Sequence, residues 1–120
     1  MPFRSAEASL PLTPISFEIL LALLNEDRHG YAILQTVESR LRGHLPMRTG
    51  TLYRALARLV EDGLIEEVDG THASGAAGED SRRRIYAISR RGRSVARAET
   101  ERLADQVAAA RSRKLLPGRS

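Results

Sequence analysis

A run of arginines late in the chain carries the clearest chemical signal in the sequence. Residues 82–98 contain seven arginines and no acidic residue, whereas residues 1–81 contain seven arginines and twelve acidic residues. A cationic block of net charge +7 beside a body of net charge −5 attracts polyanions. The phosphates of nucleic acid are the expected partner, and a solvated run of surface charge is the alternative.

A second basic group lies on a helix predicted from about Thr49 to Asp62. Its apolar side consists of leucines and a valine, and its opposite side carries Gly50, Thr51, Arg54 and Arg58. This opposite side suits a major groove, because small residues permit close approach, the helix N-terminus attracts phosphate and arginine can donate two hydrogen bonds to guanine. In the alternative interpretation, these arginines pair with acidic residues at the end of the helix.

Three further arginines, Arg82, Arg83 and Arg84, stand where a glycine-containing loop over 69–81 meets a predicted strand over 83–89. With the strand predicted over 64–68, this segment indicates a hairpin with a basic tip. Strand alternation allows Arg82 and Arg84 to share one face. An edge strand protected by charge is the alternative.

The start of the last predicted helix breaks a local rule. Ser89 is placed to cap it, and Arg90, Arg91 and Arg93 then crowd its positive end. A local penalty of this kind is expected at functional sites, and a phosphate would turn the repulsion into attraction.

The remaining pattern predicts the elements that position these arginines. Three short helices begin at Thr13-Pro14, at Gly30 and at about Thr49, and a long helix runs from Gly92 to about Lys114 after the hairpin. This order predicts a mainly α fold with a small β hairpin, a winged helix-turn-helix followed by a C-terminal helix. We expect an arm over 1–12, a DNA-binding domain over 13–91 and a dimerisation helix with its tail over 92–120.

Composition excludes several other classes of protein. The 120 residues suffice for one domain, and the absence of cysteine excludes disulfides and thiolate sites. With 4% aromatic residues and no tryptophan, a stacking platform for single strands is not expected. No catalytic constellation, phosphate loop or metal-ligand spacing occurs, so we expect no enzyme, metal or cofactor. No membrane span or signal peptide is apparent, so a cytoplasmic location is expected.

Several motifs, taken together at these spacings, resemble those of the PadR family of bacterial transcriptional regulators. They are HGYAI at 29–33, GTLYRAL at 50–56, RL at 58–59, EDGLI at 61–65, and RRRIYAIS at 82–89 followed by Gly92. The resemblance implies a homodimer that binds operator DNA, usually as a repressor, with the third helix reading DNA and the hairpin as its wing. The candidate DNA-binding residues are Arg48, Thr49, Gly50, Thr51, Tyr53, Arg54, Arg58, Arg82, Arg83, Arg84, Arg90 and Arg91.

The chain also departs from the family pattern. Arg48 and Thr49 stand where the family often has serine and proline, so capping is expected from Thr49. The loop over 69–81 is longer than usual and contains acidic residues. Tyr53 is expected to pack half-buried, with DNA contact as the second interpretation. The chain has no tryptophan, so the aromatic effector site of some members does not carry over and any effector is unknown.

The last helix carries a partial heptad of mostly small residues, and such a helix needs a partner in water. The partner is either the chain's own first helix or a second chain in a dimer. The candidate dimerisation residues are Phe17, Leu21, Ala96, Thr100, Leu103, Val107 and Ala110. Two subunits related by a twofold axis imply a near-palindromic operator. The alternatives are a winged-helix protein-interaction module without specific DNA binding, and a regulator that senses a small molecule at the dimer interface.

Overall fold

The computed structural model describes residues 9–41, 48–68 and 84–117. In chain order, these residues form four helices and three strands. They are α1 (Pro14–Ala22), β1 (Arg28–His29), α2 (Gly30–Leu41), α3 (Thr49–Glu61), β2 (Ile65–Val68), β3 (Ile85–Ile88) and α4 (Arg90–Ser112). The predicted winged helix-turn-helix with a C-terminal helix is confirmed. The predicted turn at Gly43 and Pro46 and the loop over 69–81 lie outside the described residues.

The sheet has three antiparallel strands in the order β1-β3-β2, where the sequence predicted a two-stranded hairpin. The sequence predicts only that residues 25–29 end the first helix, but in the structure Arg28 pairs with Tyr86 and His29 with Ile85. A strand of two residues has no periodicity to detect, since its pairing comes from the tertiary fold alone. The strand β3 is therefore central, and the interpretation of it as a charge-protected edge is wrong.

The first helix begins as predicted, and its apolar side chains are buried to different extents. The Thr13 hydroxyl accepts a hydrogen bond from the Ser16 amide at 3.1 Å, with Pro14 at the first helical position. The sequence predicts an apolar stripe of Phe17, Leu20, Leu21 and Leu24 that Ile19 and Leu23 widen. Of these side chains, Ile19, Leu20 and Leu23 are fully buried, and Phe17, Leu21 and Leu24 are half-buried. An almost wholly apolar helix has no polar side to fix its orientation, so packing decides which side is buried.

One hydrophobic core joins the helices to the sheet. It includes the buried side of α2 that the sequence predicted, together with side chains from α3, the sheet and the start of α4. Its buried members are Ile19, Leu20, Leu23, Ile33, Leu34, Val37, Leu41, Leu52, Leu56, Leu59, Leu64, Ile65, Tyr86, Val95 and Ala96. The core therefore fixes α3 and the base of the wing relative to each other.

Side-chain hydrogen bonds anchor the start of α4. The Ser89 hydroxyl accepts from the Gly92 amide at 2.9 Å, which confirms the predicted cap. Arg93 donates to the Leu24 carbonyl at 3.1 Å. Arg28 donates to the Ala22 carbonyl at 2.9 Å, so two arginines satisfy carbonyls at the end of α1.

A buried carboxylate joins α4 to the segment before α1. Glu99 is 2% exposed and accepts two hydrogen bonds of 2.8 Å from Arg102, one turn further along the helix. The hydrogen bonds from Arg102 hold the pKa of the Glu99 carboxyl below its ordinary value against the opposing effect of burial, and a backbone hydrogen bond from Leu12 adds to the lowering.

We expect Glu99→Gln to destabilise the fold in a pH-dependent way. A lowered pKa in the folded state stabilises the protein above the unfolded-state pKa, and this contribution is lost as the pH falls through the folded-state pKa. The loss for Glu99→Gln is about 1 to 2 kcal/mol at neutral pH and shrinks as the pH falls below 4.5, the ordinary glutamate pKa. Thermal unfolding across pH measures it, with the exposed Glu101→Gln as control. A gap between wild type and Glu99→Gln that stays constant with pH contradicts the expectation.

No helix in the described ranges combines the length and the apolar character that crossing a membrane requires.

Candidate nucleic-acid interface

The core fixes which side of α3 faces solvent. Leu52, Leu56 and Leu59 are at most 2% exposed, so the opposite side of the helix points outward. At the N-terminal end this outward side offers Thr49 and Gly50, both exposed, with Thr51 half-buried beside them. Small residues at a helix N-terminus leave room for the edge of a base pair or a phosphate to approach the backbone.

The cap of α3 differs from the prediction. Thr49 is already helical, and Arg48 occupies the N-cap position without a side-chain capping hydrogen bond. The Arg48 carbonyl accepts from the amides of Thr51 at 2.9 Å and Leu52 at 3.2 Å. The expected cap by Thr49 is therefore wrong, because the helix starts one residue earlier than a threonine cap requires. The amides of Thr49 and Gly50, which donate to no described residue, remain available to an anion.

The two arginines of the outward side have different surroundings. The Arg54 guanidinium lies back along the helix towards its N-terminus, where a Cβ added to Gly50 would lie 3.4 Å from Nη1. Within the described residues Arg54 forms no ion pair. Arg58 forms one with Asp62, with 3.5 Å between Nε and Oδ2. The interpretation of these arginines as paired surface charges thus holds for Arg58 and not for Arg54.

Tyr53 lies between the core and the outward side. It packs against the buried cluster, and its hydroxyl oxygen is buried. The structure therefore places Tyr53 as the half-buried packing residue that the sequence favoured, beside the exposed side rather than on it.

The base of the wing contains one described arginine of the three in the basic run. Arg84 Nη1 lies 3.3 Å from Glu67 Oε2 on the neighbouring strand, and its carbonyl accepts from the Gly30 amide at 3.0 Å. Burial raises the pKa of the Tyr86 hydroxyl, and the Arg84 charge opposes that shift. The sequence does not predict this pair, since only the register between β2 and β3 brings Glu67 beside Arg84. Arg82 and Arg83 lie outside the described residues.

Arg90 and Arg91 lie at the other end of α3. They line an open cleft of about 1230 Å³, whose other lining residues include Arg58, Asp62 and Gly63. Arg91 Nη2 is 3.5 Å from Ser9 Oγ. The length of α3 separates this cleft from Thr49 by about 18 Å, at 1.5 Å per residue. The structure thus brings Arg48, Thr49, Gly50, Thr51 and Arg54 together and leaves Arg90 and Arg91 apart from them.

The candidate dimerisation residues lie along one side of α4 and at two positions on α1. Ala96 is buried within the single chain at 3% exposure, whereas Leu103 and Ala110 are half-buried and Val107 is 39% exposed. Thr100 is exposed, and its hydroxyl donates to the Ala96 carbonyl at 2.8 Å. These residues form one apolar stripe along α4. It packs against the rest of the chain near the start of the helix and becomes largely exposed towards the C-terminus.

Solved structures of similar fold come from other organisms. A PadR family transcription regulator from Clostridium difficile is 22% identical with a TM-score of 0.63, covering 83% of this chain and 97% of that one. A transcriptional regulator from Clostridium thermocellum is 22% identical with a TM-score of 0.62, and the match covers 85% of this chain and 90% of that one. A PadR-like transcriptional regulator from Bacillus cereus is 20% identical with a TM-score of 0.60, and the match covers 88% of this chain and 93% of that one. These likenesses show the fold.

The family model is the stronger finding. Among curated proteins, none matches the chain. The model of the transcriptional regulator PadR-like family matches residues 19–98, from the middle of α1 into α4, and so includes α3 and both strands of the wing. The chain therefore belongs to the PadR-like family of transcriptional regulators, which are DNA-binding proteins and not enzymes.

Proposed function

We propose that the protein is a homodimeric repressor that binds a near-palindromic operator, with α3 in the major groove. The observation that carries this proposal is the open N-terminal end of α3. Gly50 and Thr51 present a small surface there, and Arg54 has no carboxylate partner among the residues described. A major groove admits a helix in this orientation, and an unpaired arginine can donate to O6 and N7 of guanine. The protein then acts in the cytoplasm with the chromosome.

We propose that the wing contacts the same duplex as α3. The strands β2 and β3 pair from Ile65↔Ile88 to Val68↔Ile85, so they lead away from the C-terminal end of α3 towards the loop. Arg84 stands at the base of that loop, and Arg82 and Arg83 precede it in the sequence. We propose that Arg82 and Arg83 contact phosphates, with Arg84 shared between Glu67 and the DNA backbone.

The proposed dimer uses the C-terminal half of α4. Residues 104–109 are all exposed in the single chain, and Val107 is the large apolar side chain among them. A helical segment without a partner is marginal in water, so a second copy is the natural cover for the stripe of Leu103, Val107 and Ala110. Phe17 and Leu21, both half-buried on α1, complete the proposed interface.

We expect Arg54→Ala to cost about 1 to 3 kcal/mol of binding free energy on the operator and much less on random duplex. The reason is that a base contact depends on sequence, whereas a phosphate contact does not. Footprinting upstream of the protein's own gene defines the operator, and fluorescence anisotropy measures both affinities. Arg97→Ala, which removes an exposed arginine from α4, is the matched control.

Equal losses on operator and random duplex assign Arg54 to phosphate contact and contradict base reading. A wild-type protein that protects no site and binds no duplex contradicts the function itself and leaves the winged helix as a protein-interaction module.

A further inference from the structure

The acidic end of α3 is not explained by helix stability. Glu61 is the last helical residue and Asp62 the C-cap, so two carboxylates lie at the negative end of the helix dipole. Cations are the favoured residues there, since the last carbonyls of a helix carry partial negative charge. A position that breaks a local rule is expected to serve function rather than stability.

Asp62 and Glu61 differ in what they contact. Asp62 Oδ2 lies 3.5 Å from Arg58 Nε, one turn back along the outward side of α3. Glu61 forms no ion pair within the described part of the chain. Of the two outward arginines on α3, Arg58 is therefore paired with a carboxylate. Arg54, nearer the helix N-terminus, has no such partner among the described residues.

An exposed pair of this length is weak, so a phosphate can displace the carboxylate from Arg58. Displacement leaves Asp62 unpaired in the negative field of the duplex, so a contact between Arg58 and a phosphate is penalised wherever it forms. In a loosely held, non-cognate complex every unpaired guanidinium can find a phosphate. In the operator complex, base contacts at the N-terminal end of α3 fix the orientation of the helix, so operator affinity depends less on a phosphate contact from Arg58.

We propose that Asp62 is a specificity-determining residue that masks Arg58 and so weakens binding to non-cognate DNA more than binding to the operator. The inference rests on the proposed function, in which the outward side of α3 faces DNA. Asp62 contacts no base. It raises the ratio of specific to non-specific affinity by withholding one cation from the phosphate backbone.

The test compares Asp62→Asn with Glu61→Gln, which removes the same charge one residue away. Both side chains are exposed, so both variants are expected to fold, and thermal unfolding verifies this. Affinity for a random-sequence duplex is measured by anisotropy over a series of salt concentrations. We expect Asp62→Asn to bind more tightly than Glu61→Gln and to steepen the slope of log affinity against log salt by about 0.9 per subunit, because Arg58 then neutralises one more phosphate. On the operator the two variants are expected to behave alike.

A double-mutant cycle isolates the masked arginine. In an Arg58→Ala background, Asp62→Asn is expected to have no larger effect on random duplex than Glu61→Gln. Equal effects of the two acidic substitutions in the wild-type background overturn the inference and leave the proposed function standing. A wild-type protein that binds no duplex overturns both.

Discussion

Replacing Gly92 with alanine is expected to lower the free energy of unfolding by about 3 kcal/mol and the melting temperature by about 10 °C. A Cβ at this position would overlap the Leu64 carbonyl oxygen and lie 2.8 Å from Ile88 Cγ1. Backbone atoms cannot rotate aside as a flexible side chain can. The start of α4 would then have to move from the turn where Ser89 hydrogen-bonds Gly63 and Leu64.

The matched control is Gly50→Ala in α3. Among the described residues, a Cβ on Gly50 would meet only Arg54 Nη1, at 3.4 Å, so the ordinary helical stabilisation of about 0.5 to 1 kcal/mol should appear there. Thermal and urea unfolding of both variants measure the difference. If Gly92→Ala is as stable as wild type, the close packing of α4 on the turn at Leu64 is contradicted.

Introducing aspartates at Leu103 and Val107 is expected to produce a monomer with operator binding reduced about 100-fold or more. Each substitution places a charge in the apolar stripe of both copies, where burial costs far more than exposure. A monomer also loses the increase in affinity that comes from binding two half-sites at once. Light scattering measures the mass, and anisotropy on the operator measures the affinity.

Leu103 is half-buried in the single chain, so the double variant could lose its fold. Val107→Asp alone separates the two effects, because Val107 is 39% exposed without a partner. Ala108→Asp adds the same charge to the next exposed position, off the stripe, and is expected to remain dimeric. A wild-type protein that is monomeric at micromolar concentration and still protects a palindromic site contradicts dimerisation through α4.

Local signals are the reason that much of the fold could be predicted from the sequence. The cap at Thr13 with Pro14, the stop at Gly63 and the cap at Ser89 each act within one helical turn, so their sequence neighbours determine them. The strong apolar periodicity of α3 likewise determines which of its sides is buried, and with it the exposure of Gly50 and Arg54. The candidate reading surface therefore follows from about a dozen consecutive residues.

Contacts between segments distant in the sequence could not be predicted from such local signals. Arg28 and His29 become a strand only because β3 lies beside them, and the side that α1 buries depends on α2, α3 and α4 around it. The sequence grouped Arg84, Arg90 and Arg91 by proximity along the chain. The fold separates them, with Arg84 beside Glu67 and Arg91 beside Ser9 at the far end of α3.

The family, the order of elements and the chemistry of a basic, small-residue helix end all follow from the order of residues along the chain. Which arginines are held by acids, and which remain open to a ligand, depends on how the elements pack. The physical reason is that a helical face is set by periodicity over neighbouring residues, whereas an ion pair depends on the distance between two side-chain ends. That distance is fixed only when strands are in register and helices are packed.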